Sequence, residues 1–247
     1  MSLLGTSTAV DMLRETGDAV GLDSRVTARL SAVQSIFGPE LAYIESELAK
    51  AAIDGKRPAT DAAKHLVDAG GKRVRPLTVL LSAACFGALP PAARELALVA
   101  EFVHTATLLH DDVIDDSPDR RARPAARTVW GNAVSVLAGD LLLTHALDRT
   151  FAAAPEALPE LLTTLRRLVD GEVLQLRGRA KLDVSEASYF RILEGKTASL
   201  FGWSARAGAI VGGARQSERQ ALGLFGERLG IAFQLVDDEL DYAGDAE

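Results

Sequence analysis

Carboxylates are the residues best placed to do chemistry in this 247-residue chain. The pattern Asp-Asp-x-x-Asp occurs twice, as Asp111-Asp112-Val113-Ile114-Asp115 and as Asp237-Asp238-Glu239-Leu240-Asp241. On a helix, positions i and i+4 share a face, with Cβ atoms about 5–6 Å apart. Asp111 and Asp115 therefore point together, as do Asp237 and Asp241. Clustered carboxylates repel one another, and a hard cation relieves that repulsion. Mg²⁺ takes oxygen ligands, keeps waters, and is commonly held by one or two carboxylates plus substrate phosphates. With 4 histidines in the chain and no cysteine near either motif, zinc fits poorly. The spacing is not that of an EF-hand loop. One such motif alone could equally be a solvated acidic helix face or a complement to a helix dipole. Two copies, flanked by Leu108, Leu109, Phe233 and Leu235, weigh against that reading.

The cations indicate where a bridging anion would lie. Lys72 and Arg75 are three apart in "GGKRVRP", hence neighbours if helical. Arg120 and Arg121 follow the first aspartate cluster, and Lys196 with Thr197 sits in "EGKTASLF". Guanidinium forks and ammonium groups are natural partners of phosphate oxygens. His104 lies two helical turns before Asp111, and Gln234 lies on the face of the second stripe. Each residue alone reads as an ordinary surface cation or salt-bridge partner. Together they imply two anionic subsites: one bridged by metal, and one held by arginine, lysine and histidine without metal.

These residues need helices to carry them, and the chain is written for helices. It is 48% hydrophobic and 25% charged, as expected of a globular protein with a sizeable core. Aromatics are 5%, and helical periodicity recurs where alternation does not. The pattern predicts helices near 26–53, 58–69, 74–87, 91–116, 133–152, 156–179, 186–212 and 216–244. Pro76 suits a first helical turn. Ser185 reads as an N-cap, and Pro155 with Pro159 marks another start. Short connections predict antiparallel neighbours. The expected architecture is one all-α domain over 26–247, with residues 1–25 the least structured. The net charge of −7 argues against bulk electrostatic binding of nucleic acid. Cys85, inside an apolar run, reads as a small buried core residue in a reducing cytosol. The N-terminus lacks a basic n-region and an apolar h-region. The longest uncharged run, 76–93, has an apolar core too short to span a bilayer. A cytoplasmic protein is expected.

At this point the residues resemble the trans-isoprenyl diphosphate synthase family, over roughly 65–245. The blocks are "GGKRVRP", "HTATLLHDDVIDDSPDRR", "GDLLL" at 139–143, "GEVLQL" at 171–176, "GKTASLF" at 195–201 and "FQLVDDELDYAGD" at 233–245. The resemblance implies an all-α, antiparallel helical bundle of the isoprenoid synthase type with a central active-site cavity. It implies that Asp111 and Asp115, supported by Asp112, hold metal. Asp237 brings in a further Mg²⁺, with Asp238 and Asp241 nearby; three Mg²⁺ ions are expected, with Mn²⁺ as a substitute. Arg120, Lys196, Thr197 and Gln234 match positions contacting the allylic diphosphate. Lys72, Arg75, His104 and Arg121 match those holding isopentenyl diphosphate. Glu172 and Gln175 are expected to line the site.

The implied reaction is ionisation of the allylic C–O bond, attack by the double bond of isopentenyl diphosphate, and loss of a proton. Metal acts as Lewis acid on the leaving diphosphate, and the protein positions and stabilises. Bulky aromatics just before the first motif give short products in this family. Here those positions are Ala106 and Thr107, so the resemblance implies a long product, closest to the octaprenyl and decaprenyl synthases, handed on to a membrane. A homodimer is implied as well. Two departures stand out. The family's usual Gly-Lys-Pro-Thr is here Ala122-Arg123-Pro124-Ala125, which removes a flexible glycine. Family members also continue past "LDYAGD" with another basic segment and several helices, so part of the pocket wall is expected beyond Glu247. Other readings are a short-chain farnesyl or geranylgeranyl diphosphate synthase, a class I terpene cyclase, an HD-type phosphohydrolase and a non-catalytic synthase subunit. The cyclase needs one diphosphate site and usually carries an Asn/Ser/Glu second motif; the phosphohydrolase, suggested by His104 and His110-Asp111, needs more metal-binding histidines, and His65 and His145 stand in no such motif. Degraded aspartate motifs would mark the non-catalytic subunit.

Overall fold

A computed structural model of the chain describes residues 24–181 and 185–244. The expected N-terminal segment lies almost wholly outside them. The helices are α1 (Ser24–Ala51), α2 (Ala59–Val67), α3 (Val74–Ala84), α4 (Pro91–Ile114), α5 (Ala126–Trp130), α6 (Asn132–Ala153), α7 (Leu158–Lys181), α8 (Glu186–Leu193), α9 (Ser199–Val211) and α10 (Gln216–Gly244). A short hairpin, β1 (Asp119–Arg120) and β2 (Arg123–Pro124), precedes α5, and a π-helical segment, Glu194–Ala198, joins α8 to α9. Among the described residues no helix is long and apolar enough to cross a membrane.

Two compact units are distinguished: Met1–Leu77 with Ala97–Arg149, and Thr78–Leu96 with Thr150–Glu247. In the first, α1 buries Phe37, Leu41, Ile44 and Leu48, the i, i+4, i+7, i+11 stripe that makes a helix amphipathic. Ala62, Ala63 and Leu66 of α2 are buried too, as are Phe102, Val103, Ala106 and Leu109 of α4, and Ala138, Leu142 and Ala146 of α6.

In the second unit α9 is buried almost throughout, with Phe201 and Trp203 at its centre. It packs on α10 through Gly223, Gly226 and Gly230. A Cβ on Gly226 would strike the Phe201 carbonyl, and one on Gly230 would strike Ala198 Cα. The 3-4 spacing of these glycines is a helix-face stripe, and it lets the two backbones approach closely.

The helices fall where hydrophobic periodicity puts them. Ser185 caps α8 by accepting from the Ser188 amide at 3.3 Å. Pro76 stands in the first turn of α3, and Pro155 and Pro159 stand in the 3₁₀ turn Pro155–Ala157 and the first turn of α7. Three features depart from expectation. The hairpin with α5 fills a stretch that the periodicity leaves blank. The predicted helix 186–212 contains the π segment, whose extra residue per turn rotates Lys196 and Thr197 relative to α8. Cys85 is exposed at the end of α3, its thiol donating to the Leu81 carbonyl at 3.3 Å; it is not a core residue, because α3 ends at Ala84.

Candidate active site

In the first unit the site is built on the C-terminus of α4. Asp111 lies in its last turn, and the Asp115 amide still donates to the Asp111 carbonyl at 2.8 Å, so the two half-buried carboxylates keep helical i, i+4 spacing. The helix ends because Asp116 turns left-handed, at φ 55°. The Ser117 amide then donates to the Asp112 carbonyl at 3.0 Å, a Schellman closure with aspartate where glycine is usual. Arg127 of α5 grips the Asp116 carboxylate and donates to the Ser117 carbonyl at 3.2 Å.

The five aspartates of this stretch therefore do different work. Asp112 faces inward and is 1% exposed. Its Oδ1 accepts from Arg120 Nε at 2.8 Å and from Nη2 at 2.6 Å. Burial holds this carboxyl above the usual range, with Arg120 opposing that shift. Its Oδ2 is buried without a hydrogen-bond partner.

Arg120 and Arg121 stand on the hairpin, where Arg120 pairs with Arg123 and Asp119 with Pro124. The two turn residues, Arg121 and Ala122, have φ of 52° and 57°. A two-residue hairpin loop with both φ values positive is the turn that glycine and asparagine favour. Ala122 therefore keeps a left-handed geometry even though the expected glycine is absent.

The "GGKRVRP" segment meets this hairpin from the start of α3. Gly70 has φ 74°. Gly71 leaves room for the guanidinium groups of Arg73 and Arg121, which a Cβ would crowd. Lys72 and Arg75 are not neighbours on one helix as expected: α3 begins at Val74, and the left-handed Arg73 (φ 53°) precedes it. Lys72 is exposed and Arg75 half-buried.

The residue between them proves decisive for the geometry. Arg73 is buried, donating through Nε and Nη2 to both oxygens of Glu45 at 2.6 and 2.9 Å and through Nη1 to Glu101 at 2.5 Å. Burial opposes its charge, but Glu101 and Glu45 hold the guanidinium above its ordinary range. Arg121 is shifted the other way, by burial and by Arg73 and Arg120. His104 feels burial first, then Arg75, Arg121, Arg73 and Arg120, and its imidazole is pushed well below the ordinary value. It is therefore neutral at neutral pH. Arg75, His104 and Arg121 are thus brought together on a platform that Arg73, Glu45 and Glu101 supply. Glu101 was legible as a lone carboxylate inside the apolar run "LALVAEFVHTA", since a buried charge needs a partner.

The "GDLLL" block serves the same turn. Gly139 accepts the His110 ring against its backbone, and His110 Nε2 donates to the Val136 carbonyl at 3.1 Å, with Asp140 3.4 Å away. Ala106 is wholly buried. Thr107 is half-buried, its hydroxyl donating to the His104 carbonyl at 2.8 Å.

In the second unit Lys196 Nζ pairs with Glu172 Oε2 at 2.6 Å, while Glu172 Oε1 is buried without a hydrogen-bond partner. Gly171 and Gly195 make this possible, because α7 and the π segment meet backbone to backbone there. Gln175 is half-buried one turn further on. The Thr197 hydroxyl donates to Gln234 Oε1 at 3.1 Å, and Gln234 Nε2 donates to Asp238 Oδ1 at 2.8 Å. The Tyr189 hydroxyl donates to the other Asp238 oxygen. Tyr189 escaped sequence reasoning, although it lies seven residues before Lys196. Asp237 is half-buried. Asp241 lies in the last turn of α10, but its side chain is outside the described residues.

The donor set suits a hard cation. Among the described residues no three His, Cys, Asp or Glu side chains are grouped to hold an ion by themselves. Two carboxylates at i, i+4 spacing are a donor set that suits an ion shared with phosphate oxygens and water.

Comparison with known proteins follows the same lines. The family model described as polyprenyl synthetase matches residues 56–247. The octaprenyl diphosphate synthase of Escherichia coli is 41% identical over 184 residues, covering 74% of this chain and 57% of its own. A short chain isoprenyl diphosphate synthase of Methanothermobacter thermautotrophicus is 37% identical over 191 residues, covering 75% and 59%. The crystal structure of a polyprenyl synthase from Caulobacter crescentus, complexed with calcium and isoprenyl diphosphate, superposes with a TM-score of 0.80 at 40% identity, covering 85% of this chain and 65% of that one. The chain spans less than two thirds of the length of these relatives.

Proposed function

This chain belongs to the polyprenyl synthetase family, and on that premise we propose that it is a Mg²⁺-dependent trans-prenyltransferase that condenses isopentenyl diphosphate with an allylic diphosphate. One observation carries the reading. A carboxylate pair of metal-binding spacing, Asp111 with Asp115, stands on the same helix as His104, around which Arg75 and Arg121 gather. That arrangement supports reading one diphosphate site with metal and one without.

Asp111 and Asp115 would hold Mg²⁺ in the first unit, and Asp237, with Asp238 and Asp241, in the second. When bound, Mg²⁺ neutralises the charge that develops on the departing diphosphate. The calcium and isoprenyl diphosphate named for the Caulobacter relative support a divalent cation beside a diphosphate. Arg120 in the first unit, and Lys196, Thr197 and Gln234 in the second, are each assigned to the allylic diphosphate; Lys72, Arg75, His104 and Arg121, all in the first unit, are assigned to isopentenyl diphosphate. Neutral His104 donates a hydrogen bond without adding a fifth positive charge to its four arginine neighbours. As the allylic C–O bond breaks, diphosphate leaves with the bonding pair. The double bond of isopentenyl diphosphate forms the new C–C bond, and the departing diphosphate takes the proton.

The product is long-chain. Relatives named for long and short products are about equally similar to this chain, so the argument rests on the small Ala106 and Thr107 ahead of the first motif. The working assembly is a homodimer, supported by the exposed apolar side chains Leu162, Val169, Val173 and Leu176 along one side of α7.

The test is incubation with Mg²⁺, labelled isopentenyl diphosphate and farnesyl diphosphate. Long linear polyprenyl diphosphates are expected. Cyclised hydrocarbon would make the protein a terpene cyclase, and products of one or two additions would make it a short-chain synthase. Asp111→Ala is expected to abolish turnover while leaving the helical circular dichroism intact.

A further inference from the structure

We propose that His65 is a positioning residue that straps the arginine hairpin to α2, and so sets where Arg120 and Arg121 meet the substrate diphosphates. The inference rests on the reading of those two arginines given above. His65 has no part in the aspartate motifs or the cationic blocks.

The hairpin is weak by its own means. Its two strands have two residues each, and an isolated pair of strands is marginal in water. The turn residues Arg121 and Ala122 both carry positive φ without glycine, which adds strain. A cavity of about 10 Å³, room for about one water, lies against the hairpin, lined by His65, Leu66, Asp112, Arg120, Pro124 and Ala125.

Three sets of bonds hold the segment instead. At its base the Ala125 amide and the Thr128 hydroxyl both donate to the Pro118 carbonyl, each at 2.9 Å. On β1, Arg120 is fastened to Asp112 of α4. On β2, Pro124 has no amide hydrogen to offer, and its carbonyl accepts from His65 Nε2 at 2.8 Å. The carbonyl can only accept, so the proton is on Nε2. The same ring meets Trp130 of α5 edge-on, with centroids 5.2 Å apart. One side chain on α2 thus fixes both the second strand of the hairpin and the helix that follows it.

The test compares His65→Phe, which keeps a ring against Trp130 but lacks the donor, with His65→Gln, which restores an amide donor. In the full-length protein, His65→Phe is expected to raise KM for isopentenyl diphosphate about fivefold to tenfold, the factor one lost hydrogen bond carries, with kcat within about twofold. Amides 119–125 should exchange with deuterium faster in His65→Phe, and His65→Gln should restore both readouts. Wild-type KM and exchange in His65→Phe would overturn the strap, and a His65→Gln protein as impaired as His65→Phe would rule out the hydrogen bond as its cause. Arg121→Gln separates the two levels. If it leaves KM unchanged, the diphosphate role of the hairpin fails, while exchange in the His65 variants still judges the strap.

Discussion

Replacing Glu101 by glutamine tests how the cationic platform is held together. The Arg73 and Glu101 side chains are each 3% exposed and meet at 2.5 Å. A pair about 4 Å apart between charge centres attracts by about 4 kcal/mol at an effective dielectric of 20. Glutamine removes that attraction but keeps an acceptor for Nη1, worth about 1 kcal/mol, and it no longer bears the cost of burying a carboxylate. Arg73 also keeps its two bonds to Glu45. The expected net loss is about 2 kcal/mol, against about 3–5 kcal/mol for Glu101→Ala, which strips the partner outright. The variant carries one more net positive charge among Arg73, Arg75, Arg120 and Arg121. Diphosphate should therefore bind it more tightly and restore part of the lost stability, since a ligand at 100 times its Kd adds about 2.7 kcal/mol. Urea unfolding with and without inorganic diphosphate reads both effects. A loss under about 0.5 kcal/mol, or a smaller diphosphate response than wild type, would refute the buried network as the support of the site.

Ala122→Gly should stabilise the protein by about 0.5–1 kcal/mol, because φ 57° strains alanine but not glycine, less the greater entropy glycine has when unfolded; a lower urea midpoint would contradict the turn assignment. His104 is held below its unfolded value of 6.5, so below that pH the unfolded chain binds a proton that the folded one resists. Stability should then fall as pH drops from about 7 to 5, by up to about 1.4 kcal/mol per pH unit from this group. His104→Gln should flatten that slope, and an unchanged slope would place the titration elsewhere. Tyr189→Phe removes one of the two hydrogen bonds that orient Asp238. It should raise the Mg²⁺ concentration for half-maximal rate about fivefold, read from a metal titration at saturating substrate, with an unshifted curve the result that would count against it.

The helices of this protein, and the residue pattern on which its proposed chemistry rests, are written locally, and so the sequence by itself determined them. Apolar spacing along a helix is a one-dimensional signal, and it placed α1 to α4, α6, α7 and α10 to within a few residues. The i, i+4 geometry of Asp111 and Asp115 likewise follows from helical pitch alone. What the pattern could not show is anything that depends on a partner distant in the chain. Arg73 looks no different from Lys72 or Arg75 until Glu45 and Glu101, 28 residues away on either side, close on it. Asp112 reads as mere support for the metal pair until Arg120 folds back on it. Asp238 accepts from Tyr189, 49 residues earlier. The hairpin over 119–124 was invisible because its turn lacks the glycine that normally announces positive φ, and its geometry is held by Asp112, His65 and the base of α5. Propensity and period act between near neighbours along the chain; which charge is neutralised, and which is left to meet a substrate, is decided by burial and by contacts that exist only once the helices have packed.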